Sequence, residues 1–331
     1  MQTATQFEPK TLLESAWRPV ISVLIPCLNE AAAIPRVIED FRAALPQATI
    51  FVYDNGSTDE TVERARSAGA VVRSEPLRGK GNVVRRMFAD VEADVYVLVD
   101  GDDTYDARCA PRLIDLLLKN SLDMVNAARQ SQQEAAYRPG HRFGNRLLTS
   151  MVATFFGNRL TDLLSGYRVL SRRFVKSFPA LASGFEIETE LSVHALQMRM
   201  PLGEVMTAYK ERPPGSASKL NTYKDGFRII KTIMHLVKEE KPLAFFSAVG
   251  AAIALLALAL GVPVIIEFLH THLVPRLPTA LLAAALSILS VISFACGLIL
   301  ETVSRGRVEF KRLAYLSVPV RVSGRHEGTR R

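Results

Sequence analysis

Two stretches of this 331-residue chain run uncharged over a length that few soluble folds use. Residues 243–266 and 279–300 contain 24 and 22 residues without Asp, Glu, Lys or Arg, and an α-helix needs roughly 20 to cross a ~30 Å hydrocarbon core. Buried helices of soluble proteins seldom go so far without a charge, so both are expected to be transmembrane helices. Residues 267–278 form a short loop between them with a single arginine. Lys238 and Lys241 precede the first span, and Arg305, Arg307, Lys311 and Arg312 follow the second. The positive-inside rule then places both flanks in the cytoplasm and the loop outside, as a membrane hairpin followed by a basic tail, residues 304–331.

Charge supports that division. The chain has 41 Lys+Arg against 33 Asp+Glu, a net charge of +8. The tail alone holds eight Lys/Arg and two Glu, so the first 303 residues carry only +2. A duplex-binding domain would concentrate cations on its folded part, so nucleic acid is not the expected partner; the tail suits anionic membrane lipids. Cys27, Cys109 and Cys296 are too few and too scattered for a disulfide framework or a cysteine zinc site, which points to a reducing compartment. Residues 1–20 include Glu8, Lys10, Glu14 and Arg18 and read as an N-terminal extension rather than a secretory signal.

Upstream of the spans, β-branched apolar runs alternate with helical patterns: 21–26 then 31–44, 49–54 then 58–68, 70–74 then 79–89, 95–100 then 110–120. Continuous apolar runs such as Val95-Tyr96-Val97-Leu98-Val99 suit strands covered on both faces, so the repeat predicts an α/β fold with a parallel, doubly wound sheet. Ligands of such sheets bind beyond the carboxyl ends of the strands.

At the first of these ends stand Pro26-Cys27-Leu28-Asn29-Glu30. Proline stops the ladder and Asn29 and Glu30 can accept from ribose hydroxyls, although a strand-to-helix cap uses the same residues. The second end, Asp54-Asn55-Gly56-Ser57-Thr58-Asp59, is a glycine turn with a good N-cap, which also leaves backbone N–H groups for a phosphate or nucleotide. Arg78-Gly79-Lys80-Gly81 reads either as a mobile cationic turn able to meet a diphosphate or as a solvated loop. The fourth end delivers Asp100-Gly101-Asp102-Asp103. Carboxylates this close repel unless a cation sits among them, and hard Mg²⁺ or Mn²⁺ prefers oxygen ligands. Side chains alternate along an extended segment, so Asp100 and Asp102 are expected to point the same way.

Residues 123–219 form a third polar region with Arg129, Arg138, Arg142 and Arg146, then Asp162-Leu163-Leu164-Ser165-Gly166-Tyr167-Arg168, then Arg212 to Lys219. Cations flanking Gly/Ser turns bind phosphate, though scattered arginine is also ordinary surface. Leu147, Leu148, Met151, Val152, Phe155 and Phe156 repeat at helical spacing, as core or as a face dipped into lipid. Residues 223–242 carry an apolar stripe, Phe227, Ile230, Ile233, Met234 and Val237, beside Lys224, Arg228, Lys231 and Lys238, and are expected to be an amphipathic juxtamembrane helix.

Taken in this order and followed by a two-helix anchor, these motifs resemble those of the family 2 glycosyltransferases with the A-type fold, specifically the polyprenyl-phosphate glycosyltransferases that include dolichyl-phosphate mannose synthases and bacterial undecaprenyl-phosphate sugar transferases. The resemblance covers the chain from Ile21 to the second span, and it implies a Rossmann-like catalytic domain at residues 21–222 with a mainly parallel sheet. It further implies that Pro26, Asn29, Glu30, Asp54, Ser57, Lys80 and Asp100 bind a nucleotide-sugar, with Glu30 and Asp54 on the nucleoside and Lys80 near the diphosphate. Asp100 and Asp102 would form the Asp-X-Asp metal motif for Mg²⁺ or Mn²⁺. Arg129, Arg142, Ser165 and Lys219 would meet the acceptor phosphate, and Arg212 and Glu190 would join Asp100 and Asp102 in catalysis, Glu190 lining the sugar site. Asn55 stands where many members carry a second Asp, and Thr104 where mannose synthases have a Gln that helps hold the metal.

The implied reaction is transfer of one hexosyl group, with inversion, from a nucleotide-sugar to a polyprenyl phosphate such as undecaprenyl phosphate at the bacterial cytoplasmic membrane. A phosphate acceptor is ionised near pH 7 and needs no strong general base. The competing readings are a non-catalytic adaptor that retains the fold, a processive polysaccharide synthase and a soluble sugar nucleotidyltransferase. Processive synthases normally carry Gln-X-X-Arg-Trp, and the one tryptophan here is Trp17, before the first strand. The resemblance is also compatible with a homo-oligomer.

Overall fold

A computed structural model describes residues 18–130, 160–184, 186–210, 238–239 and 241–319. The stripe at 147–156 and all of the expected juxtamembrane helix but its last few residues lie outside them. The first half of the sheet follows the sequence pattern. Strands β1 (Ile21–Cys27), β2 (Thr49–Asp54), β3 (Val71–Ser74) and β4 (Val95–Leu98) alternate with helices α1 (Ile34–Ala44), α2 (Thr61–Ser67), α3 (Lys80–Asp90) and α4 (Ala110–Lys119). These strands pair in parallel, β1 with both β2 and β4, and β2 with β3.

Alternation along each strand creates two cores. Leu24, Tyr53, Tyr96 and Leu98 face α3, whereas Val23, Ile25, Val52, Val95 and Val97 face α1 and α4. The matching stripe of α1 is Ile34, Val37, Ile38 and Phe41, all buried, at the spacing of one helix face. Proline near the start of α1 and of α4 fits the first helical turn, where an N–H has no partner anyway.

The polar region that starts at Asp123 supplies the rest of the sheet. It contributes β5 (Met124–Gln130), β6 (Arg168–Ser171), α5 (Arg172–Ser177), α6 (Ile187–Gln197) and β7 (Leu202–Ala208). The full order is β3-β2-β1-β4-β6-β5-β7, with β6 antiparallel to β4 and β5 and every other pair parallel. The sheet is therefore mixed and mainly parallel. β4 stops at Leu98, so Asp100 lies in the loop beyond the strand rather than at its end.

Two long apolar helices follow, α7 (Pro242–Thr271, 30 residues) and α8 (Leu277–Ser317, 41 residues), with mean hydropathies of 2.7 and 2.4 in their most apolar windows. Both are long and apolar enough to cross a membrane, and side chains such as Leu255, Ile265, Leu281 and Val291 are left exposed on them. The link between them is shorter than the expected loop, because α7 continues to Thr271 and His272 ends it in a left-handed conformation. Ser290 and Ser293 of α8 donate to the carbonyls of Gly250 and Phe246 of α7 at 2.9 and 3.0 Å, which locks the pair together. The far end of α8 extends well beyond residue 300 and packs on α5.

Candidate functional site

Parallel pairing delivers the carboxyl ends of β1, β2 and β4 to one edge of the sheet, and the loops there are stitched together by side chain to backbone bonds. Asn29, at φ 52°, accepts from Thr58 N at 2.8 Å, and its own N–H donates to Ser57 Oγ at 2.8 Å. Glu30 N donates to Thr61 Oγ1 at 2.9 Å. Asp54 is buried and accepts from Gly56 N at 3.0 Å and Ser57 N at 3.1 Å. Asn29, Glu30, Asp54 and Ser57 thus lie together, with Pro26 in the strand just before them, and Asp54 and Ser57 hold the turn itself.

Asn55 has a defined task. Its amide donates to the carbonyls of Glu75 and Leu77 at 2.9 and 2.8 Å, and its oxygen accepts from Gly79 N at 2.7 Å. A carboxylate cannot donate, so Asp in this place would face two carbonyl oxygens.

The Gly79-Lys80-Gly81 turn is a packed element rather than a solvated loop. A Cβ at Gly81 would come within 2.1 Å of the Ala182 carbonyl oxygen, and Gly81 N donates to the carbonyls of Ser183 and Gly184 at 3.1 Å. This close backbone approach directs Lys80 inward, where its ammonium is ion-paired with both Asp100 and Glu188. Burial pulls the Lys80 pKa down, but the two carboxylates outweigh it and hold the group well above the ordinary lysine value.

Asp100 sits against bare backbone. A Cβ on Gly166 would lie 2.1 Å from Asp100 Oδ2, and Gly166 N is anchored by a 2.8 Å bond to Tyr105 Oη. Asp102 Oδ1 accepts from Thr104 Oγ1 at 2.6 Å, so Thr104 steadies the second carboxylate. Asp103, at φ 56°, pairs instead with Arg36 and Lys210, at 3.5 Å to each.

Asp100 and Asp102 suit a hard divalent cation in their donor chemistry. Among the described residues no set of three His, Cys, Asp or Glu forms a metal cage. Mg²⁺ and Mn²⁺ take oxygen ligands, and one or two carboxylates with substrate phosphates and water can complete their shell. The residues present fit such an ion.

Arg129 makes a two-pronged pair with Asp162, at 2.7 and 2.9 Å, beside the Tyr209 ring. Burial raises the Asp162 carboxyl, but Arg129 more than offsets it and holds the group below the usual carboxylate range. Ser165 is fully buried and donates to the Ala127 carbonyl at 2.6 Å, so its hydroxyl serves the fold. Arg168 is buried and binds the carbonyls of Ser165 and Leu163 and the Ser192 hydroxyl; burial lowers its pKa to about 10.

Glu190, expected to line the sugar site, is held by backbone. Both its oxygens accept from backbone N–H groups, of Leu181 at 2.9 Å and Ala182 at 2.8 Å, and the side chain that reaches Lys80 is Glu188. Two residues span about 200° around a helix, so the first turn of α6 cannot turn both glutamates to one point. Arg142, Arg212 and Lys219 lie outside the described residues.

Residues 22–178 match the profile of Glycosyl transferase family 2. Glycosyltransferase AglJ of Haloferax volcanii is 33% identical over 249 residues, 75% of this chain and 82% of that protein. A dolichyl-phosphate hexose transferase of the same organism is 26% identical over 221 residues, 67% and 95% of the two chains. Among solved structures, glucosyl-3-phosphoglycerate synthase of M. tuberculosis superposes with a TM-score of 0.54 at 26% identity, covering 66% of this chain and 80% of that one. One crystal of that synthase holds Mn²⁺, UDP and glucosyl-3-phosphoglycerate.

Proposed function

The chain belongs to glycosyl transferase family 2, and from that premise we propose that it is a membrane-bound inverting transferase that moves one hexosyl group from a nucleotide-sugar to a polyprenyl phosphate. The observation that carries this reading is the cluster of Asp100, Asp102 and Lys80 beyond β4, in a domain bonded to the end of a membrane-length helix. The name of the Haloferax dolichyl-phosphate hexose transferase supports a lipid-phosphate acceptor. UDP and Mn²⁺ in the mycobacterial synthase support a nucleotide-sugar donor and a divalent metal.

Asp100 and Asp102 would hold the cation, which when bound supplies Lewis-acid stabilisation of the leaving nucleoside diphosphate. The loops joined by Asn29, Ser57 and Thr58 would seat the nucleoside. Lys80 would add positive charge beside the diphosphate. Arg129 would approach an acceptor phosphate if that anion shared or replaced its bond to Asp162. Donor, acceptor and leaving group are all anionic, so the chain's main contribution is alignment and charge neutralisation. With α7 and α8 in a bilayer, the cations at 305–312 would favour a catalytic domain on the cytoplasmic face.

The test is to incubate membranes containing the protein with a panel of nucleotide-sugars, polyprenyl phosphate and Mg²⁺ or Mn²⁺, and to identify lipid products by mass spectrometry. A polyprenyl-phosphate monohexose that disappears with Asp102→Ala is expected. Equal product from Asp102→Ala would remove the metal assignment, and transfer only to a soluble phosphorylated acid would replace the lipid acceptor.

A further inference from the structure

Lys80 and Asp100 make an ion pair where a metal-binding carboxylate is needed, which sets the ammonium against any cation that Asp100 receives. Glu188 is the other partner of Lys80, on the second residue of α6, and it is buried. Its Oε1 takes the ammonium, while Oε2 is buried without a hydrogen-bond partner among the described residues. An unpaired buried carboxylate oxygen is costly, and an arriving donor relieves it directly.

We infer that Lys80 is a resident competitor for the metal at Asp100, and that Glu188 is a positioning residue that draws Lys80 away so that metal and nucleotide load together. This rests on the reading of Asp100 as a metal ligand. The ammonium lies between two carboxylates, so it can release Asp100 without being stranded, because Glu188 has a spare oxygen to receive it. A nucleoside diphosphate beside Gly79-Lys80-Gly81 adds a second anionic partner on the same side of the exchange. Metal alone must therefore displace Lys80 unaided, whereas metal with a diphosphate does not. The two ligands would strengthen each other's binding by the same factor.

The arrangement makes a prediction that simple charge counting does not. Glu188→Gln removes a carboxylate that never touches the metal and leaves Lys80 on Asp100 alone. The double variant Lys80→Met/Glu188→Gln removes one charge of each sign, keeps the net charge of the site, and frees Asp100.

The experiment is titration of the full-length protein in detergent with Mn²⁺, following free Mn²⁺ by electron paramagnetic resonance, with and without UDP. Thermal unfolding of each variant serves as the folding control. Without UDP, Glu188→Gln should bind Mn²⁺ at least about threefold more weakly than the parent, and the double variant at least about threefold more tightly. UDP should tighten Mn²⁺ binding more in the parent than in the double variant. A double variant that folds and binds Mn²⁺ no better than the parent overturns the inference. If the parent binds Mn²⁺ and Asp100→Ala does not, that failure leaves the metal assignment standing; if Asp100→Ala binds as well as the parent, the assignment and the inference fall together.

Discussion

Tyr315, near the end of α8, donates its hydroxyl to Asp123 Oδ2 at 2.8 Å, so the second apolar helix is bonded to the residue that leads into β5. Arg173 reinforces the joint, lying 5.5 Å from the Tyr315 ring centre and donating to the Val318 carbonyl at 3.1 Å. Lys311 adds a bond to Gln197 of α6 at 2.8 Å. Tyr315→Phe keeps the ring over Arg173 and removes the bond to a carboxylate, which is expected to cost about 2 kcal/mol. A lowered thermal midpoint in detergent, with faster hydrogen exchange near residue 315, checks this. No change in either would mean that the joint does not hold the helix.

Gly166→Ala tests the close approach at Asp100. The new methyl would have to displace Asp100 Oδ2 from a 2.1 Å contact, and the backbone on the other side is fixed by Tyr105. Turnover is expected to fall by about 10²-fold, as a displacement of about 1 Å does at a reacting centre. Steady-state rates, with circular dichroism to verify the fold, give the answer.

Asn55→Asp would replace two donated bonds by repulsion from the carbonyls of Glu75 and Leu77. The expected loss is about 1–3 kcal/mol. It should be smaller at acid pH, where the new carboxyl can protonate and donate once. Denaturation at pH 5 and pH 8 distinguishes this from a general packing defect, which would be equal at both.

His194 is buried between Phe174 and Phe178, and burial lowers its pKa from 6.5 to about 3. As pH falls from 6.5 towards 3, the unfolded chain takes up a proton that the folded chain refuses. Stability should therefore decline over that window and be insensitive to this group above it, with a slope approaching ~1.4 kcal/mol per pH unit. His194→Gln should flatten the profile between pH 4 and 6. An unchanged slope would assign the acid sensitivity to other groups.

Legibility in the sequence followed local chemistry. The first four strand and helix units could be read because β4 is an uninterrupted apolar run, β1 and β2 are apolar through most of their length, and α1 has one clean buried stripe. The second half hid for opposite reasons. β5 carries Asn126 and Arg129, β6 is four residues long and begins with the buried Arg168, and α6 is buried nearly all round, leaving no amphipathic signal.

The site was legible in its residue types and less so in its pairings. Asp100, Asp102 and Lys80 could be named from the motifs alone. That Glu188 rather than Glu190 meets Lys80 depends on where α6 begins, since one residue of shift rotates a side chain by about 100°. The commitments of Arg129 to Asp162 and of Ser165 to Ala127 are contacts across 33 and 38 positions, beyond any local pattern.

Helix α8 is one uninterrupted rod of 41 residues, about 60 Å long, of which a bilayer core would swallow about half. With α8 across a bilayer and its far end fastened to the sheet, the stand-off height of the catalytic cleft and its compass bearing about the rod would be set by the same piece of backbone. One residue added between the apolar segment and Tyr315 would raise the cleft by only about 1.5 Å yet swing it through about 100°. A lipid phosphate, confined to the plane of the headgroups, would meet such a protein at one altitude and one azimuth.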